Sequence, residues 1–303
     1  MLKTIFLSII LEALPFVLLG VLVSSVLQMF VTEETVRRWM PKNPILGILF
    51  ACLLGILFPL CECGMIPVVK RLLHKGMPPM IAVVFIVVGP VLNPVVYLST
   101  RTAFQVYPTL AYARMGLAFA VAVILGLLLH AFMKKSPLRV SHSTVNGQGA
   151  DTVTHHHDHD TSGSGWSGKL IGMGKHAAGE FFEMGLYLII GAMLTALIQT
   201  SLPREVLTGI GGQPGLSHLF MMGYAYILSL CSTSDAFVAS SFTTSFGYSS
   251  LLAFLVFGPM IDLKVTLMLH SMFKTRFVLA LIAIVGTIVF LGSLTIYLLG
   301  WMT

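Results

Sequence analysis

Long apolar runs alternate with short polar breaks along this 303-residue chain. The runs fall at about 4–31, 44–60, 79–99, 109–133, 177–201, 216–231, 250–272 and 277–299. They are continuous, whereas barrel strands alternate over roughly ten residues, so they predict membrane helices. A hydrocarbon core takes about 20 helical residues per crossing. The expected fold is therefore all-α and polytopic, with about eight transmembrane helices. Two shorter stretches, Met65–Leu73 and Asp235–Phe246, cannot span and are expected to be re-entrant or interfacial. The first run contains Glu12 and is too long for a signal-peptide core, so it reads as the first span.

Residues 134–167 break the pattern, being rich in Ser, Gly, Thr and His with few large apolar side chains. They predict a flexible linker between a first transmembrane repeat (1–133) and a second (168–303). The halves echo each other. Glu12-Ala-Leu-Pro-Phe-Val-Leu-Leu-Gly20 aligns with Glu183-Met-Gly-Leu-Tyr-Leu-Ile-Ile-Gly191, Leu60-Cys61 with Leu230-Cys231, and Gly89-Pro-Val-Leu-Asn93 with Gly258-Pro-Met-Ile-Asp262. The offsets are 171, 170 and 169, an ordered drift that chance does not give. Internal duplication marks many transporter folds, with the substrate site where the repeats meet.

Composition narrows the class. The chain is 56% hydrophobic and only 10% charged, against about 25% charged in soluble domains. Soluble enzymes, disordered chains, collagens and small disulfide scaffolds are excluded. The net charge of +6 fits cationic cytoplasmic loops in a lipid-embedded protein better than nucleic-acid binding. Four spans per half would make the repeats parallel, whereas five would invert them. The basic linker and the loop carrying Lys70, Arg71 and Lys75 favour cytoplasmic termini and a cytoplasmic linker, while Arg37, Arg38 and Lys42 pull the other way.

Ionisable residues inside apolar runs are the candidate chemistry. A carboxylate at the centre of a span costs about 3 kcal/mol on insertion scales, so Glu12 and Glu183 should face the interior as a proton or cation relay, or as interhelical hydrogen bonds. Pro59-Leu-Cys61-Glu62-Cys63-Gly64 and Leu230-Cys231-Ser232-Thr-Ser234-Asp235 end their segments with helix breakers, which suits discontinuous helices around a binding site. Cys61, Cys63 and Cys231 would offer three sulfurs to one soft ion; the alternative is that they are small buried apolar residues, as Cys52 is taken to be. Asn93 and Asp262 follow Gly-Pro pairs that should break their helices, and so would line the gap. Lys264 is placed to neutralise Asp262 or to snorkel outward.

The linker carries His155, His156, His157 and His159 beside Asp158 and Asp160, a divalent-metal collector or an incidental tract. There is no P-loop, HExxH or GxSxG, so enzyme activity is not expected. No resident cofactor is expected either, a metal ion entering only as cargo.

At these motifs the chain resembles the predicted permease family that includes the ArsP-type organoarsenical efflux permeases. The residues that carry the likeness are Glu12, Cys61-Glu-Cys63-Gly64 with Ile66-Pro67, Gly89-Pro-Val-Leu-Asn93-Pro94, Cys231-Ser-Thr-Ser-Asp235 and Gly258-Pro-Met-Ile-Asp262. The resemblance implies a multi-pass inner-membrane permease, thiol capture of trivalent arsenic and, in some relatives, a second membrane subunit. The expectation is proton-coupled efflux of a metal or metalloid, with Cys61, Glu62, Cys63, Asn93, Cys231, Ser232, Ser234, Asp235 and Asp262 at the cargo site and Glu12 and Glu183 carrying protons. A membrane thiol oxidoreductase and a non-transporting complex subunit are the alternatives.

Overall fold

A computed structural model describes residues 2–30, 34, 36, 38, 40–41, 43–57, 61–132, 166–201 and 215–300. The linker histidines His155, His156, His157 and His159 lie outside the described residues, as does the side chain of Glu183. Twelve helices account for most of what is described. The first six are α1 (Leu2–Phe30), α2 (Pro44–Leu57), α3 (Glu62–His74), α4 (Pro79–Val88), α5 (Pro94–Ala103) and α6 (Thr109–Phe132). The rest are α7 (Trp166–Ser201), α8 (Leu216–Leu228), α9 (Asp235–Ser240), α10 (Tyr248–Met260), α11 (Leu263–Met272) and α12 (Thr275–Leu298).

Among the described residues four stretches are long and apolar enough to cross a membrane: Phe6–Val26, Thr109–Phe132, Tyr248–Met272 and Thr275–Leu298. Pro44–Leu57, Pro79–Val88, Met184–Leu197 and Leu216–Leu228 are apolar but shorter. Each expected apolar run thus holds an apolar helix; Met184–Leu197 belongs to the 36-residue α7, whereas α2, α4 and α8 are each short of a full crossing.

Burial is patterned for an apolar surrounding. On α1 the inward positions are small or polar (Ala13, Val17, Gly20, Ser24), while Leu7, Leu11, Leu14, Leu18 and Leu22 point outward. Small residues inside and leucines outside let helices approach closely where apolar surroundings provide no hydrophobic drive. A β-carbon on Gly20 would overlap the Gly64 backbone of α3, so this crossing needs glycine at position 20. α4 and α10 are different: Ile81–Val88 and Ser249–Met260 are buried all round, which makes these two helices the core of the fold.

The expected breaks at the Gly-Pro pairs are present. α4 stops at Val88, and Asn93 opens α5 by accepting a hydrogen bond from Val95 N at 2.9 Å. α10 runs through Pro259 to Met260, and Asp262 opens α11 by accepting from Val265 N at 2.6 Å. Each side chain satisfies a backbone donor that the new helix would otherwise leave orphaned.

Candidate functional site

Two irregular turns build the site. One precedes α3, where Cys61 adopts an extended conformation and begins the helix without a side-chain cap. The other joins α8 to α9, where Ser229 sits in the left-handed region at φ 47° and closes α8. That conformation costs a non-glycine residue of the order of 1 kcal/mol or more, and neighbours hold it. Ser229 Oγ donates to Tyr226 O at 3.2 Å and accepts from Leu263 N at 3.2 Å, tying the turn to the start of α11.

Both turns open onto one small pocket of about 10 Å³, lined by Ile9, Glu12, Ala13, Cys61, Glu62, Cys63, Cys231 and Lys264. Residues more than 200 positions apart in the chain therefore share one space. Ser234 Oγ donates to Glu12 Oε1 at 2.9 Å and to the Cys231 carbonyl at 3.1 Å, joining α1 to the second turn. Thr233 Oγ1 donates to Cys231 Sγ at 3.7 Å.

Charge in the pocket is only partly compensated. Lys264 is 4% exposed, so it does not snorkel; its Nζ faces Asp262 Oδ2 at 3.9 Å and shares its field with Glu62. Glu62 is 2% exposed and its Oε2 has no hydrogen-bond partner among the described residues. A buried acceptor left unpaired is costly, so this oxygen is free to receive a proton, a water or a cargo group.

Beside the pocket lies an ion pair that the sequence pattern did not single out. Arg114 of α6 is fully buried. Its Nη2 donates to Asp235 Oδ2 at 2.6 Å, and its Nη1 donates to Asp235 Oδ1 at 3.1 Å and to Thr100 Oγ1 at 2.7 Å. Nη2 also donates to the Ser232 carbonyl at 3.3 Å. A planar guanidinium suits this two-pronged contact, which a lysine could not make. The signal was in the sequence: a lone arginine inside the apolar run 109–133 is as anomalous as Glu12 in its own.

The structure therefore sorts the expected site residues. Glu12, Cys61, Glu62, Cys63 and Cys231 line the pocket, and Ser234 touches Glu12. Asp235 is held by Arg114, while Ser232 is bonded to it through its carbonyl. Asn93 caps α5 and does not line the pocket; Asp262 caps α11 and reaches it only through Lys264. Among the described residues no three His, Cys, Asp or Glu side chains are spaced to hold one metal ion together, so the cysteines are gathered but not drawn into a coordination shell.

A family model described as "Predicted permease" (ArsP_1) matches residues 1–298. The chain is similar to UPF0718 protein YcgR of Bacillus subtilis (strain 168), with 46% identity over 296 residues that cover 97% of this chain and 96% of that one. It is also similar to a protein of Streptococcus mutans serotype c named "Putative two-component membrane permease complex subunit", with 37% identity over 292 residues, 96% of this chain and 93% of the other. No solved structure matches.

Proposed function

We infer the activity from one premise: this chain belongs to the predicted permease family and is a membrane protein. The proposed function is export of a soft metal or metalloid species, a trivalent arsenical or a divalent metal, across the inner membrane by a multi-pass secondary permease driven by proton exchange. One observation carries it. Cys61, Cys63 and Cys231, the thiols of both helix breaks, line a pocket that also holds Glu12, Glu62 and Lys264. Thiolates favour soft or borderline ions, and buried carboxylates beside a carrier site are the usual proton carriers. The cysteines would draw together around the cargo.

A duplicated architecture is part of the proposal. The buried positions Ala13, Val17, Val21 and Ser24 of α1 correspond to Met184, Leu188, Ala192 and Thr195 of α7, all at the offset of 171 found for Glu12 and Glu183. The name of the Streptococcus relative supports a second membrane subunit as partner. Transport into everted vesicles tests the relay: a Glu12→Gln, Glu183→Gln double variant at normal abundance should lose proton-driven uptake, and unchanged uptake would exclude it. A deletion strain screened against metals and arsenicals would name the cargo through selective hypersensitivity.

The thiol oxidoreductase reading keeps one supporting observation: Cys61 and Cys63 are both free and line the same pocket. Alkylation trapping with mass spectrometry tests it, and a pair that stays reduced throughout removes it.

A further inference from the structure

Neighbour contacts fix the direction in which each helix runs. Gly47 and Gly55 of α2 pack against Ile81 of α4 and Gly89 at its C-terminal cap, so α2 and α4 run the same way. Only Lys75–Pro78 joins the end of α3 to the start of α4, so α3 returns to the face from which α2 entered. α2 and α3 have 14 and 13 residues, about 20 Å each at 1.5 Å per residue, short of the roughly 30 Å hydrocarbon core. They form a hairpin that enters and leaves by one face.

The second half repeats this. Ser217 Oγ lies 2.9 Å from Ser250 Oγ, and Gly258 packs against Ala225, so α8 and α10 are also parallel. α9 and the turns through Phe246 lead back to the start of α10, closing a second hairpin.

The two hairpins enter from opposite faces. Gly126, late in α6, packs against Ile48 and Val84, so α6 ends on the face where α2 and α4 begin. Tyr107, in the turn before α6, packs against Tyr248, the first residue of α10, with ring centroids 4.3 Å apart and planes tilted by 46°. α10 therefore begins where α6 begins. With 24 residues, α6 is about 36 Å long, so those two faces are the two sides of the membrane.

We propose that the chain is an inverted repeat with six full crossings (α1, α4–α5, α6, α7, α10–α11, α12) and two re-entrant hairpins, α2–α3 and α8–α9, whose tips meet from opposite faces at the pocket. Each hairpin is then the barrier between the pocket and its own face. This departs from the expectation of about eight transmembrane helices with cytoplasmic termini, and chooses between the parallel and inverted halves that the sequence leaves open. It explains why irregular backbone at Cys61 and at Ser229–Ser234 is tolerated: both tips border the cavity. It also accounts for the contacts between α3 and α11 and between α5 and α9, which exchange under inversion. The gating role rests on the permease reading above, whereas the topology does not.

Charge assigns the sides. Among the described residues, Arg38, Lys70, Arg71, Lys75, Lys169, Lys175, Lys274 and Arg276 belong to the α1–α2, α3–α4 and α11–α12 connections or their flanks or to the start of α7, on the face where α6 ends. Two (Lys3 and Arg101) belong to the other face, and Arg114 and Lys264 are buried. Cytoplasmic loops carry the excess of Lys and Arg, so the face where α6 ends and α7 begins is cytoplasmic, while the start of α1 and the end of α12 face outward.

The test is accessibility labelling of the full chain in intact cells with a membrane-impermeant maleimide, the unsubstituted protein with its four buried cysteines serving as blank. Thr102→Cys, at the α5–α6 turn, should label in intact cells; Thr275→Cys, at the α11–α12 turn, should label only after permeabilisation. A second pair guards against misfolding: Ser245→Cys should label in intact cells and His74→Cys only after permeabilisation. Parallel halves would put both members of each pair on one face, and that result overturns the inverted topology; the reverse pattern overturns the assignment of sides. Labelling does not read transport, so a failed vesicle assay and a failed topology stay distinguishable.

Discussion

Arg114 of α6 and Asp235 of α9, 121 residues apart in the chain, share a two-pronged ion pair in which both side chains are shut away from their surroundings. The pair ties the first half of the molecule to the hairpin tip of the second, and Arg114 adds bonds to Thr100 and to the Ser232 carbonyl. Removing one member of a buried pair leaves an uncompensated charge, which costs about 3–5 kcal/mol. Arg114→Ala and Asp235→Ala should each lower the unfolding temperature in detergent by an amount matching that range. The double variant should lose less than the two singles combined, because the stranded charge is gone. Equal and additive losses would show that the pair is not coupled.

Close backbone approach gives a second prediction. An added β-carbon at Gly20 would run into Gly64, and at Gly55 would stand 2.7 Å from Gly89 Cα, whereas at Gly116 it would meet nothing within 4 Å. Overpacking of this kind costs about 1–3 kcal/mol. Gly20→Ala and Gly55→Ala should therefore be destabilised by that amount in thermal unfolding. Gly116→Ala should be neutral or slightly stabilised, since alanine is the better helix former.

The two helix-opening residues are predicted to differ. Asn93→Ala loses only a cap, worth about 1 kcal/mol. Asp262→Asn keeps an acceptor for Val265 N but removes the carboxylate that faces Lys264 at 3.9 Å, leaving the buried ammonium to Glu62. It should cost more than Asn93→Ala, and Lys264→Met should recover part of the loss when combined with it. Thermal unfolding of the four variants completes the cycle; no recovery in the double variant would mean that Asp262 acts through its cap alone.

Much of the site was legible because helix breakers and intramembrane carboxylates are rare in apolar runs. Glu12, Cys61, Cys63 and Cys231 stand out on chemistry alone, and they share the pocket. The Gly-Pro pairs foretold where α4 and α10 give way. Arg114 was passed over because it sits inside a run that otherwise reads as a plain span, and its partner is on another helix. The pocket-facing role of Lys264 depends on how α11 approaches the first turn, which no local pattern encodes. Crossing number was equally hidden: length alone does not tell a short crossing from one arm of a hairpin, and only contacts such as Gly55 with Gly89 separate them.

The cargo proposal stands or falls on the thiols. Serine replaces cysteine with little change of shape but binds soft ions poorly, so Cys61→Ser, Cys63→Ser and Cys231→Ser isolate the sulfur. In a deletion strain complemented by each variant at matched abundance, sensitivity to the exported species should return to that of the uncomplemented strain. Cys52 is the internal control: it is buried on α2, away from the pocket lining, and a Cys52→Ala variant should keep full resistance. Growth inhibition curves with an arsenical and with a divalent metal give the readout and separate the two cargo classes. Full resistance in all three serine variants would mean that the pocket holds its cargo through oxygen and charge, with Glu12, Glu62 and Lys264 as the remaining polar lining.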